Sequence, residues 1–311
     1  MWQSLLEKMT DSLKYINWDG GTMGFDLQMI NDKPRNEFYF DSLSNCKDKV
    51  VLDIGTGTGL LAVMAAELGA RKVYTVEKNY HNYQSAKYFI EKSNLQNIIE
   101  VIHSDFLHLD KQNWTHDQID IVISETFAND CFVENFAFFV DHANKNLNLS
   151  SQVVWSPCQI DLSIQLIDVP MIEEFNSNTQ INQDFTNVVN QSIKNYRNNF
   201  HNAWENNIMP TANLSHHRLS ITDNVVKSFI VDNTLKTVVG DYRSQLKFDH
   251  DGLNNPYLAV DWTIHNSNKV SMPLTGNARW RRLGFKINKQ KSNTFVFKFN
   301  ALSHALYGYQ L

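Results

Sequence analysis

The sequence predicts an α/β domain built on a parallel, Rossmann-like sheet over residues 1–150, followed by a mainly antiparallel, β-barrel-like domain over residues 151–311. Three observations predict it. Short apolar runs alternate with helix-length segments from about residue 48, and a glycine-rich turn follows the first of those runs. After about residue 150, β-length runs separated by long polar connections take over. Alternating strands and helices imply βαβ units and a parallel sheet.

Taken in order, Lys49 to Ile54 is an apolar run ending in Asp-Ile-Gly, and Gly59 to Leu68 reads as a helix. Lys72 to Glu77 reads as the second strand and Tyr80 to Ser93 as the second helix. Ile98 to His103 and Gln118 to Ser124 have strand length, and Glu134 to Leu147 is helical again. Beyond them Val153 to Ile167, Leu219 to Ile230, Pro256 to Ile264 and Phe295 to Leu302 read as β-runs. The Asn-rich segment 173–207 between two of these runs is weakly apolar and helix-like. It reads as a surface insertion or as an arm for dimerisation. In open parallel sheets ligands bind beyond the carboxyl ends of the strands, so the residues after each run are where function is expected.

Composition narrows the partners. Lys and Arg number 28 against 33 Asp and Glu, for a net charge of −5, which argues against non-specific nucleic-acid binding. Cys46, Cys131 and Cys158 are too few and scattered for a disulfide framework or a zinc cluster, which suits a reducing cytoplasm. The N-terminus has no uninterrupted apolar core, so no signal peptide is expected, and the longest apolar-looking stretch, 50–70, contains Asp53 and several glycines and reads as strand, loop and helix rather than a membrane span. His216 and His217, adjacent on a β-run, point to opposite faces, and no metal is expected.

The strongest signal is Val51-Leu52-Asp53-Ile54-Gly55-Thr56-Gly57-Thr58-Gly59-Leu60. Gly55, Gly57 and Gly59 allow a tight turn and close approach of backbone to a ligand. The nicotinamide fingerprint fails, because its third glycine would fall at Leu60. Asp53 would repel a pyrophosphate but can hold an ammonium. S-adenosylmethionine carries an ammonium and a sulfonium and no phosphate, and is the cofactor expected here. Glu77, ending the next strand, is placed to accept from both ribose hydroxyls. Asp105 can accept from the adenine amino group, with Phe106 as an apolar wall.

After the fourth run comes Ile123-Ser124-Glu125-Thr126-Phe127-Ala128-Asn129-Asp130-Cys131-Phe132-Val133-Glu134. A hairpin-like loop of this length can bring Glu125 and Glu134 onto one point. Guanidinium is a planar fork of donors that stays protonated. Two carboxylates can bind its edges and leave the remaining nitrogen more nucleophilic and in line with a methyl donor. The dull alternative is a solvated loop plus a charge at a helix N-terminus.

With these residues the chain resembles the protein arginine methyltransferase family of class I methyltransferases, closest to its monomethylating branch. The paired glutamates and VLDIGTGTGLL carry the resemblance, along with Met29-Ile30-Asn31-Asp32-Lys33-Pro34-Arg35-Asn36, which is similar to the family's segment folding over the cofactor. The resemblance implies that Arg35 binds the methionine carboxylate and Met29 lines the transfer site. It also implies a homodimer. Val153-Val154-Trp155-Ser156-Pro157 is similar to the start of the family's barrel, and Ala278-Arg279-Trp280-Arg281 falls where its Thr-His-Trp loop is expected.

Two departures follow. The family's N-terminal aromatic pair has no counterpart in Asn17-Trp18-Asp19-Gly20-Gly21, and its barrel-loop histidine, the partner of the aspartate matching Asp32, falls at Arg279. An Asp32–Arg279 pair can hold the domains together but cannot relay a proton. The Arg279–Trp280 cluster also reads as a strand face, a dimer rim or a contact for acidic substrate. The expected acceptor is an arginine of a protein or peptide. The alternatives are a small guanidino or amino compound such as free arginine, and a cofactor-binding scaffold without catalysis.

Overall fold

The computed structural model describes residues 29–30, 32–112, 114, 117–127, 131–132, 134–168, 220–240, 242–254, 256–274, 283–300 and 305–311. The 173–207 segment, Asn17–Gly21, His216, His217, Arg279 and Trp280 lie outside them.

The run VVLDI forms β1 (Val50–Ile54), buried at every position. Burial on both faces is what a central parallel strand requires. β1 lies between β2 (Lys72–Glu77) and β4 (Ile119–Ser124), parallel to both. With β3 (Ile99–His103) and β5 (Leu149–Ser156), the described sheet has the order β3-β2-β1-β4-β5, parallel throughout. Order reverses at β1, so the switch point falls at the glycine turn, where such sheets bind ligands.

Four helices are described around this sheet. α1 (Lys33–Ser42) is capped by Asp32, whose side chain accepts from Arg35 N, and carries Pro34 in its first turn. α2 (Leu60–Glu67) is buried from Leu60 through Ala66, as a helix apolar on all sides must be. α3 (Tyr80–Lys92) buries Ala86, Phe89 and Ile90 at helical spacing, with Asn79 as its cap. α4 (Phe136–Asn146) is the crossover from β4 to β5 and buries Phe136, Ala137, Val140 and Ala143.

The parallel sheet extends to Ser156, past the boundary expected at residue 150, because Val153–Ser156 pairs beside β4 rather than opening the second domain. The expected single run from Val153 to Ile167 is broken at Pro157, which has no N–H for a ladder. The second domain opens with β6 (Gln159–Asp168), flanked by β7 (Ser220–Ile230) and by β9 (Pro256–His265), antiparallel to both. Ile160, Leu162, Ile164 and Leu166 alternate inward, the pattern of a sheet with one face on a core. β10 (Ser271–Pro273) and β11 (Leu283–Lys286) extend the other edge of β9. A described three-stranded sheet joins β8 (Arg243–Lys247), β12 (Thr294–Asn300) and β13 (Ala305–Gln310), with the short α5 (Leu235–Gly240) after β7.

The two domains share one hydrophobic core that runs from Leu52 and Val122 to Trp262 and Phe297. Polar contacts lock them as well. Asn266, 3% exposed in the β9–β10 turn, donates to Asp41 Oδ2 at 2.8 Å and to Ser42 Oγ at 3.2 Å on α1. Asn268 donates to the Asp41 carbonyl at 2.8 Å. Lys236 of α5 reaches Asp141 of α4 at 3.2 Å.

Candidate functional site

A cavity of about 480 Å³ opens at the carboxyl ends of β1, β2, β3 and β4. Met29 and Arg35 line it from the N-terminal segment, Gly55 to Thr58 from the glycine turn, Glu77 from β2, Asp105 and Phe106 from the turn after β3. Glu125, Thr126 and Glu134 complete the wall. Of the residues expected at the site, the structure gathers Met29, Arg35, Gly55, Gly57, Glu77, Asp105, Phe106, Glu125 and Glu134 around this space.

Asp53 does not line it. Its side chain is fully buried in β1 beneath the turn and accepts from Thr75 Oγ1 at 2.8 Å. Asp32 is likewise occupied in capping α1, where Oδ1 accepts from Arg35 N at 3.2 Å. Gly59 acts from behind: at φ +85° it is the cap of α2 and brings the turn against Ala86 of α3.

The backbone arranges Glu77. Its Oε2 accepts from Gly57 N at 3.0 Å and its Oε1 from Asn79 N at 2.7 Å. Each carboxylate oxygen has a second lone pair, so the side chain stays able to accept from a diol while its orientation is fixed. Asp105 caps the 3₁₀ turn Phe106–His108, accepting from Leu107 N. Phe106, 4% exposed, is held edge-on by Phe139 and by the His142 ring, each at 5.6 Å.

The acidic loop is braced from two sides. Phe127 packs on Phe136 at 5.0 Å, and Phe132 lies edge-on to Trp262 of β9 and Phe229 of β7. The second domain therefore supports the loop that carries both glutamates. The side chain of Glu125 is buried and its Oε2 accepts from Arg35 Nη2 at 2.8 Å, whereas Glu134 is exposed at the rim. Arg35 is itself buried, with Nη1 donating to Asn36 Oδ1 at 3.0 Å. Burial works against its charge, but the Glu125 charge and hydrogen bond outweigh that and push its pKa further up. Its Nε is a buried donor with no hydrogen-bond partner. A buried cation with an unused donor on a cavity wall suits an anionic ligand group such as a carboxylate.

Four participants were not legible from the sequence. Thr56, Thr126 and Ser124 form hydrogen-bonded hydroxyl pairs at the glycine turn, Thr56 with Thr75 at 2.6 Å and Ser124 with Thr126 at 2.9 Å. Thr56 and Thr126 lie two residues past a strand's end and Ser124 closes β4, which was the available signal; Thr75, inside β2, had none.

Comparison with known proteins agrees with this geometry. Residues 38–156, under half of the chain, match the family described as ribosomal protein L11 methyltransferase (PrmA). Protein arginine N-methyltransferase 1 of Caenorhabditis elegans is 34% identical over 116 residues, 36% of this chain and 33% of that protein. PRMT10 of Arabidopsis thaliana is 36% identical over 101 residues, 31% of this chain and 25% of that protein. The matched segment thus spans about a third or less of these relatives' own length. Among solved structures, the Trypanosoma brucei PRMT1 enzyme–prozyme heterotetrameric complex with AdoHcy aligns at TM-score 0.65 and 21% identity, over 93% of this chain and 97% of that one. Arabidopsis thaliana protein arginine methyltransferase 10 aligns at 0.62 and 17% identity, over 93% and 96%. At such identities the likeness is one of fold, and it extends through both domains. The chain is thus similar to the protein arginine N-methyltransferases, by sequence over about a third of its length and by architecture over nearly all of it.

Proposed function

We propose that this chain transfers a methyl group from S-adenosylmethionine to a guanidino nitrogen of an arginine in a protein or peptide, giving monomethylarginine. The observation that carries the reading is the convergence of Glu125 and Glu134 on the cavity that the glycine turn and Glu77 also line. The residues fit the cofactor: Glu77 for the ribose, Asp105 and Phe106 for the adenine, Arg35 Nε for the carboxylate. The bound group would supply an electrophilic methyl on a sulfonium.

This chain's own residues would do the rest. Arg35 holds Glu125 through one oxygen and fixes the carboxylate plane. Glu125 and Glu134 then accept from the guanidinium edges, draw its positive charge onto the bound nitrogens and orient the free nitrogen. As the new N–C bond forms, the methylated guanidinium must give up one proton. Glu134, at the exposed rim, is the group placed to pass it to water.

A protein acceptor is preferred over a small guanidino compound because the relatives named above are protein arginine methyltransferases. A homodimer is proposed from the same likeness, and one neighbour comes from a heterotetrameric complex. Three free thiols support the cytoplasm as the compartment.

The test is transfer of labelled methyl from S-adenosylmethionine into a cell extract divided into macromolecular and small-molecule pools, alongside Glu125→Gln. Methylarginine recovered from hydrolysed macromolecules, with transfer down at least ~100-fold in the variant, is expected. Label confined to small molecules would move the acceptor to a metabolite. Label in neither pool, with cofactor binding intact, would leave the scaffold reading standing.

A further inference from the structure

Two short hydroxyl chains run inward from the cavity wall on either side of Gly55. In the first, Thr75 Oγ1 donates to the buried Asp53 Oδ2 at 2.8 Å and lies 2.6 Å from Thr56 Oγ1. A hydroxyl has one proton. With Asp53 ionised, the Thr75 proton is committed to its carboxylate, so the short contact must be Thr56 donating to Thr75. In the second, Ser124 Oγ donates to the Ile54 carbonyl at 3.1 Å and lies 2.9 Å from Thr126 Oγ1. The carbonyl can only accept, so Thr126 must donate to Ser124. Both chains therefore end inward on an acceptor, the ionised Asp53 carboxylate in one and the Ile54 carbonyl in the other, and begin at a threonine of the cavity wall. Thr56 and Thr126 are left with lone pairs and no proton to offer.

We propose that Thr75 and Ser124 are positioning residues that fix the polarity of Thr56 and Thr126, so that the wall beside Gly55 offers two acceptor-only oxygens to the ammonium group of a bound S-adenosyl ligand. This rests on the cofactor reading above and deepens it. A free hydroxyl rotor would present either a proton or a lone pair, whereas a committed one cannot turn its proton toward a cation and loses no rotational freedom on binding. Gly55 keeps the two threonines close: a Cβ there would stand 3.0 Å from Thr126 Cγ2.

Titration calorimetry on the full chain, with ligands that differ in the amino-acid portion, tests it. S-adenosylhomocysteine carries ammonium and carboxylate, decarboxylated S-adenosylmethionine carries the ammonium alone, and 5′-methylthioadenosine carries neither. Thr75→Val is expected to weaken the first two about tenfold and leave the third within about twofold, since hydrogen bonds to charged groups are the strong ones. Thr75→Ser, which keeps the hydroxyl, should restore both affinities. Should Thr75→Val fail to fold, Thr126→Val removes one acceptor directly and is expected to show the same selectivity. Loss spread equally over all three ligands, or over none, would overturn the proposal while leaving the cofactor reading intact. A native chain that binds none of the three would overturn the cofactor reading itself, and this inference with it.

Discussion

Asp53 shows how the site sets a local cost against stability. Burial is the main cause that pushes its carboxyl up to about 7, the Thr75 hydrogen bond and the Arg35 charge pull against it, and Glu77 and Glu125 add to it. In the unfolded chain the same group loses its proton near pH ~3.9. Between those values the folded state binds more protons than the unfolded one, so this residue makes stability fall as pH rises. The cost is complete above pH 7 and is on the order of 4 kcal/mol. Asp141 and Asp161 run the other way. Burial opposes their ionisation, but Lys145 and Lys236 around the first, and Gln159, Ser228 and His265 around the second, outweigh it and hold both carboxyls low. Their contribution is present at neutral pH and lost as pH falls through the folded values. Asp53→Asn should therefore be more stable than the native chain at pH 8, with the advantage shrinking by about 2–3 kcal/mol by pH 5 in chemical denaturation. A difference that stays flat across that range would show that Asp53 does not titrate there.

At the scale of elements, the glycine turn works because two helices are allowed to approach it. Gly59 sits at φ +85°, and a Cβ on it would meet Ala86 Cβ at 3.4 Å and Ala86 Cα at 3.5 Å. Gly252, at φ +82°, has open space around the same position. Gly252→Ala should thus report the backbone cost alone, about 1–2 kcal/mol. Gly59→Ala should exceed it by a further ~1 kcal/mol in urea denaturation, because α3 must give way. Equal losses would mean that α2 and α3 are not in close contact at this point. The same elements show what a sequence reveals. The strands β1 to β4 and the helices α2 to α4 were legible because their apolar residues recur at strand or helix spacing. Glu77 and Phe106 were read from strand ends, and Glu125 and Glu134 from their nine-residue spacing in the loop after β4. α1 was not legible as a helix: Lys33–Ser42 has no apolar stripe, and its hold on the fold comes from buried Arg35, Asn36, Phe38 and Tyr39. Asp53 was misplaced because its position in sequence, next to the turn, does not say that a strand side chain there points into the sheet's packed face, toward Thr75. The short β8 and β11 are defined by partners distant in sequence, which no local pattern records, and β10 is only three residues long.

At the scale of the molecule, the β domain does more than follow the first domain in the chain. Phe132 of the acidic loop is lodged against Phe229 and Trp262, and α1, which carries Arg35 to Glu125, is tied down by the β9–β10 turn. The geometry of the glutamates therefore depends on how the domains dock. Asn266 is the residue on which this docking is most concentrated. Its amide donates to Asp41 and Ser42, and its carbonyl oxygen accepts from Asn268 N and Val270 N, both at 3.0 Å. Asn266→Asp keeps the shape and the two accepted bonds but replaces the donors with a carboxylate facing Asp41. It should cost about 2–4 kcal/mol at pH 7, as two like charges facing each other without donors in a partly buried contact do. Because a single core spans both domains, the variant should still unfold in one transition, with methyl transfer and stability falling together. Two separate transitions in calorimetry would mean that the domains fold independently and that the glutamate loop does not draw its support from the barrel side.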